Sequence, residues 1–149
     1  MKKTNKQAQT QLSFGMIFSI ILIIAFISFA VYGIAKFLDT VNFAKVEKFK
    51  NDFQADIERI WKGSGTSQEV DYLIPKKIKQ VCFADDDYKN MYFAPLDLEY
   101  EGILLEHVNF EETLKHSRGT PKKLCIATSD GQIYMTIKNS YGESLVTIS

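Results

Sequence analysis

The residues of this chain that could do chemistry include two cysteines, at positions 82 and 125. Cys82 and Cys125 each lie within a short apolar run that is typical of a β-strand. Two strands of one small sheet would bring the two sulfur atoms within bridging distance. Buried thiols fit a reducing compartment and a disulfide fits an oxidising one, and we expect the disulfide if this part of the chain lies outside the cell.

Other polar residues could suggest an ion site or a catalytic site. The densest acidic run is at residues 85–87. Clustered carboxylates can hold Ca²⁺, but this spacing matches no calcium loop and is typical of a solvated turn.

Four residues have side chains of the types found in catalytic triads: His107, His116, Ser117 and Asp130. No nucleophile elbow, His-Glu helix motif or phosphate loop supports them. We therefore predict no enzymatic activity, no cofactor and no metal site.

The elements that would position these residues begin with an uncharged N-terminal segment. Residues 12–35 contain no charged side chain, and the basic residues before them are Lys2, Lys3 and Lys6. A helix of this length spans roughly 36 Å, enough to cross a hydrocarbon core of about 30 Å. A cleaved signal peptide would have a shorter apolar core, so we predict a retained transmembrane helix over residues 12–35 with a cytoplasmic basic tail at residues 1–11.

Apolar residues continue at helical spacing beyond Lys36. The members of this stripe are Val46, Phe49, Phe53, Ile57 and Ile60. The pattern predicts an amphipathic helical extension over residues 36–62, which a Gly/Ser-rich linker at residues 63–67 ends. The stripe could pack on the chain's own globular part or on neighbouring copies, and the sequence leaves both open.

Residues 68–149 change to the two-residue periodicity of β-strands. Alternating apolar runs lie near residues 70–83 and 124–148, and Asp130-Gly131 between two runs predicts a hairpin turn. Residues 102–108 could form a further strand, and Asn109 with Glu112 resembles a helix capping box. The predicted fold class is α+β: a long N-terminal transmembrane helix with an amphipathic extension, followed by a small antiparallel β-rich head.

The charges limit the classes of partner. From Lys36 onward the chain has 15 basic and 18 acidic residues, a net charge of −3, so no basic field is present to bind nucleic acid. About 85 residues remain for a globular part, which leaves little room for a large enzyme. We expect membrane lipid and other membrane helices, including copies of this chain, as partners, and no small-molecule substrate is evident.

Residues 11–17, QLSFGMI, resemble the start of archaeal class III signal sequences, which a prepilin peptidase cuts. The layout of basic tail, membrane helix, amphipathic extension and cysteine-containing β-rich head is similar to that of type IV pilins, and also to that of small uncharacterised single-pass membrane proteins of archaea. The pilin resemblance implies a lollipop-like fold and a processing region at Ala8, Gln9, Gln11 and Ser13. In that family a Glu near the new N-terminus neutralises the amino group of a neighbouring subunit, and Gly15 takes its position here.

These observations predict a non-enzymatic single-pass protein of the cell membrane, with a cytoplasmic N-terminus and an extracytoplasmic head. In the first interpretation it is a pilin-like surface filament subunit that assembles through its helix. The predicted assembly face then consists of Phe37, Val41, Phe49 and Phe53. In the alternative interpretation it is a membrane-tethered accessory or binding module of another complex and does not self-assemble.

Overall fold

The computed structural model describes residues 14–95, 100–115, 117 and 122–149. The four residues of the predicted processing region, Ala8, Gln9, Gln11 and Ser13, lie outside the described residues, as does His116. The chain divides into two units, Met1–Asp39 and Thr40–Ser149.

A single helix, α1, extends over Phe14–Trp61 and confirms the predicted long apolar N-terminal helix. It contains no proline, so no backbone hydrogen bond of the helix is lost to a missing N–H group. The predicted end near residue 62 is also correct. Gly65 takes a φ of 70°, which a residue without Cβ adopts at little cost, and the chain turns into the first strand.

The apolar stripe of α1 packs within the second unit. Val46, Phe49, Phe53, Ile57 and Ile60 are all at most 4% exposed. Of the two alternatives that the sequence left open, the structure thus selects packing on the chain's own head. Thr40 and the residues after it belong to the head unit, so the unit boundary lies within the predicted extension rather than at the Gly/Ser linker.

The described residues of the head form two three-stranded antiparallel sheets, which agrees with the predicted α+β class and its small antiparallel β-rich head. Sheet A has the order β1-β5-β6, with β1 Ser67–Leu73, β5 Gln132–Lys138 and β6 Thr147–Ile148. Sheet B has the order β3-β2-β4, with β2 Gln80–Ala84, β3 Met91–Ala94 and β4 Lys123–Ala127. The alternation of β5 follows the sequence pattern, because its apolar residues Ile133, Met135 and Ile137 are buried.

The Asp130-Gly131 turn forms, but it does not connect the two strands of a hairpin. Both residues have positive φ, 51° and 80°, and Ser129 and Gln132 exchange backbone hydrogen bonds of 2.8 and 2.9 Å. The pairing then ends, because β4 continues in sheet B and β5 in sheet A. Thr128 is bonded to the segment before β2, while the Gly131 carbonyl accepts the N–H of Ile74 after β1. The turn is therefore a corner between sheets.

The predicted strand at residues 102–108 is reduced to isolated bridges. Ile103 pairs with Met91 and Val108 with Val146. Between these bridges, the Asn90 side chain is hydrogen-bonded to both the N–H and the carbonyl of Leu105. His107 has a φ of 63°, which is incompatible with an extended strand. The predicted helix start after this segment is confirmed: Asn109 Oδ1 accepts the N–H of Glu112, and the short helix α2 covers Phe110–Thr113.

A buried side chain caps the C-terminal end of α1. Asn139 follows β5 and is 3% exposed. Its Nδ2 atom lies within hydrogen-bonding distance of the carbonyl oxygens of Ile60, Trp61 and Gly63, at 3.3, 3.2 and 2.9 Å. The last carbonyl groups of a helix have no partner within the helix, so this amide joins the end of α1 to sheet A.

We expect Asn139→Ala to lower the free energy of unfolding of the head by about 1 kcal/mol, because the three carbonyls lose the amide donor that they share. The Ile60 carbonyl keeps the N–H of Gly63, and the Gly63 carbonyl keeps the Thr66 hydroxyl. Urea unfolding of the detergent-solubilised chain, followed by Trp61 fluorescence, measures the change. Asn51→Ala is the control, because Asn51 is exposed on the same helix. Equal effects of the two substitutions would contradict the capping role.

Candidate functional site: the exposed apolar helix

The most distinctive surface of the chain is the N-terminal part of α1. Its large apolar side chains are exposed, from 40% at Leu22 to 84% at Phe14. Among the described residues, α1 alone is long and apolar enough to cross a membrane; the mean hydropathy of its most apolar window is 2.8, and none of that window is buried. Exposed apolar surface on this scale requires a cover of lipid or protein.

The hydroxyl groups of Ser19 and Ser28 are hydrogen-bonded within this part of the helix. Ser19 Oγ donates to the Gly15 carbonyl and Ser28 Oγ to the Ile24 carbonyl, each at 2.8 Å. A hydroxyl group bonded in this way can lie in hydrocarbon without an unsatisfied donor. A Cβ atom added at Gly33 would have no other atom within 4 Å, so the helix surface is also open at this residue.

The four residues of the predicted assembly face differ in exposure. Phe37 is 67% exposed and Val41 is half-buried. Phe49 and Phe53, in contrast, are 1% and 0% exposed, because their rings pack on both sheets of the head. The assignment of these two rings to a surface for other copies is therefore corrected: they belong to the core, and only Phe37 and Val41 remain available.

The predicted disulfide is present. Cys82 of β2 and Cys125 of β4 are direct partners in the antiparallel register, with Cα atoms 4.0 Å apart. The bond joins neighbouring strands that are 43 residues apart in the chain. Cross-linking such distant residues restricts the unfolded chain, an effect that typically contributes about 2–4 kcal/mol.

The acidic run at residues 85–87 contains a turn. Asp86 Oδ1 accepts the backbone N–H of Tyr88 at 2.8 Å and that of Lys89 at 3.0 Å. The hydrogen bonds from Lys89 and then Tyr88 hold the pKa of the Asp86 carboxyl below its usual value, because they stabilise the charged form. The described residues contain no group of three side chains that could hold a metal ion.

Three of the four residues considered for a catalytic triad lie in the described part of the chain, and each of them has a different local contact. His107 stacks on the indole of Trp61, with ring centroids 3.7 Å apart and planes 7° apart. Ser117 Oγ donates to the Leu114 carbonyl, and Asp130 lies 3.9 Å from the Lys76 ammonium. Nothing in these contacts aligns a base with a nucleophile.

The structure also reveals a concave surface that the sequence did not indicate. It lies on the outward face of sheet A, has a volume of about 520 Å³ and is bordered by Glu69, Asp71, Tyr134 and Thr136. The alternation of β1 predicts that Glu69 and Asp71 point to the same side. It does not predict their neighbours, since the pairing of Asp71 with Tyr134 depends on a register between strands about 60 residues apart.

Phe53→Ala and Phe37→Ala should have very different effects on head stability. The first opens a cavity in the core, so we expect the free energy of unfolding to fall by about 3–5 kcal/mol. The second truncates an exposed ring, and we expect a change of at most about 0.5 kcal/mol. Urea unfolding in detergent compares them, and a large loss for Phe37→Ala would show that this ring also supports the head.

The Asp86 carboxyl should titrate below the usual Asp range in an NMR pH titration. Since its pKa is depressed in the folded state, its contribution to stability is present above the unfolded pKa and is lost as pH falls through the folded pKa. The stability difference between wild type and Asp86→Ala should therefore shrink in acid. Asp87→Ala removes a carboxylate from the same turn without these two bonds and is the control; an identical pH profile for both would contradict the assignment.

Comparisons with protein-family models, with curated proteins and with solved structures give no match for this chain.

Proposed function

We propose that this chain is a non-enzymatic single-pass membrane protein whose N-terminal helix anchors it and associates with copies of itself, as in a pilin-like surface filament. The observation that carries the proposal is the exposed apolar part of α1, in which no residue of the most apolar window is buried. A helix of this composition is stable in lipid or against other apolar helices, and not in water.

The disulfide and the charges support an outward head. A bond between Cys82 and Cys125 persists in an oxidising compartment, whereas cytoplasmic thiols are kept reduced. The charged residues before the apolar segment, Lys2, Lys3 and Lys6, are all basic, which favours a cytoplasmic location for them. In this orientation residues 1–11 are cytoplasmic and the head is extracytoplasmic.

One observation favours a second candidate, a membrane-tethered accessory module of another complex. The first turn of α1 contains no acidic residue, and Gly15 lies there. A filament subunit without that acidic residue would lack the attraction between its carboxylate and the N-terminal amino group of a neighbouring subunit. A module held by other proteins would not need it.

Intact mass of the chain extracted from native membranes tests the processing and the redox state together. A start within residues 9–14, with a mass two hydrogens below that of the dithiol, supports a processed, outward-facing subunit. An intact N-terminus, together with stable co-purification of other proteins, supports the accessory module. Free thiols would contradict an extracytoplasmic head.

Self-association is tested by cross-linking in native membranes with two matched substitutions. Phe37→Lys should abolish cross-linked oligomers, because it places a charge on the face that Phe37 shares with Val41 one turn later. Phe43→Lys is the control: Phe43 is also exposed, at 55%, but six residues along an α-helix place it on a different side. Oligomers that survive both substitutions would contradict assembly through this face, provided that both proteins insert and retain the disulfide.

A further inference from the structure

Strand β1 forms one edge of sheet A. It pairs with β5 along all seven residues, from Ser67 to Leu73, and the described residues provide no strand on its other side. An edge of this length presents a row of backbone N–H and C=O groups to which another strand can bond. Exposed edges commonly have charged side chains, proline or a bulge that discourage unspecific pairing. β1 has no lysine and no proline, and its charged residues, Glu69 and Asp71, are both acidic.

The outward side of this edge is acidic and concave. Glu69 and Asp71 are exposed and project from β1 to the face of sheet A on which Tyr134 is 60% exposed. The cavity of about 520 Å³ that they border has no Lys or Arg among its described lining residues. Two carboxylates beside an exposed aromatic ring favour a cationic group, through charge attraction and cation–π contact.

The inward side of the same edge has a different character. Between β1 and α1 lies a cavity of about 320 Å³. Its apolar lining comes from Phe49, Tyr72 and Leu73, and its charged lining from Lys45, Lys48, Asp52 and Asp71. The Tyr72 hydroxyl donates to Asp56 Oδ2 at 2.6 Å. Burial and the nearby Asp52 carboxylate raise the pKa of Tyr72 far above its usual value, so the hydroxyl remains protonated. The apolar part of this cavity suits an apolar side chain, whereas a cationic side chain would meet Lys45 and Lys48 there.

We propose that the free edge of β1 is a docking site for an extended, basic segment of a partner protein, which adds as an antiparallel strand to sheet A. Side chains of neighbouring antiparallel strands pair directly across. The geometry therefore specifies the segment: cationic residues opposite Glu69 and Asp71, an apolar residue opposite Leu73, and an apolar residue opposite Tyr72 that points into the inward cavity.

A second copy of β1 fits this edge less well. Antiparallel pairing of two β1 strands would bring the Glu69 and Asp71 carboxylates of one chain beside those of the other. Like charges directly across a strand pair are destabilising. The acidic pair thus disfavours self-pairing at the edge and attracts a basic strand, which makes this contact distinct from the proposed association through α1.

The test uses the full chain in nanodiscs and a capped peptide, Thr-Val-Ile-Lys-Thr-Lys-Thr. In antiparallel pairing with β1, the first lysine of this peptide lies opposite Asp71 and the second opposite Glu69. We expect saturable binding that weakens with added salt, and slower amide hydrogen exchange in β1. The peptide with Glu in place of both Lys residues should not bind. Equal binding of the two peptides, or slower exchange only outside β1, would overturn the proposal.

Two pairs of substitutions examine the charge requirement. Glu69→Lys with Asp71→Lys should weaken binding of the lysine peptide at least about tenfold. Glu69→Gln with Asp71→Asn should weaken it in the same direction while keeping the side-chain shape, so a loss of binding cannot be ascribed to misfolding of the reversed variant. Asp85→Lys with Asp87→Lys makes the same change of net charge in an exposed turn and should bind as wild type.

Two further outcomes of these experiments would overturn the assignment. The first is undiminished binding by the Glu69 and Asp71 variants. The second is slow exchange in β1 without peptide that increases with protein concentration, since this would identify a second copy of the chain as the occupant of the edge.

Discussion

Phe49 and Phe53 of α1 each contact aromatic rings from both sheets, and the rest of the head depends on these contacts. Phe53 lies 5.7 Å from the ring of Tyr72 in sheet A and 6.0 Å from that of Phe83 in sheet B, while Phe49 contacts Tyr72 and Phe93. A sheet of three short strands is near the minimum size for stability and needs its apolar face covered. The helix therefore supplies the apolar surface that both sheets need, and the three elements form one core.

Because one helix contains both this buried stripe and an exposed apolar segment, the two parts of α1 have different surroundings. In the head, the stripe is covered by protein and its polar residues form local pairs, such as Lys48 with Asp52 at 2.6 Å. In the N-terminal part of α1, no residue of the most apolar window is buried. The same helical conformation satisfies the backbone in both parts, which is why α1 needs no break where its surroundings change.

The polar contacts of the head hold segments that the sheets alone would leave free. Asn139 caps the end of α1, and Asn90 bonds both backbone groups of Leu105 in a segment without regular structure. The Cys82–Cys125 bond ties β4 to the centre of sheet B. The Tyr72 hydroxyl bonds β1 to Asp56 of α1, while the outer backbone edge of β1 has no strand partner among the described residues.

The sequence by itself determined the elements whose signals are local. An uncharged segment and a helical stripe predict α1, alternation predicts β1 and β5, and Asn109 predicts the start of α2, because each pattern reports on neighbouring residues. Tertiary structure decided everything that depends on distant pairing. It placed Phe49 and Phe53 in the core rather than on an assembly face, made Asp130-Gly131 a corner between sheets, and put Glu69 and Asp71 on a concave face beside Tyr134. Local patterns cannot specify these outcomes, since a stripe shows that a face must be covered but not by what.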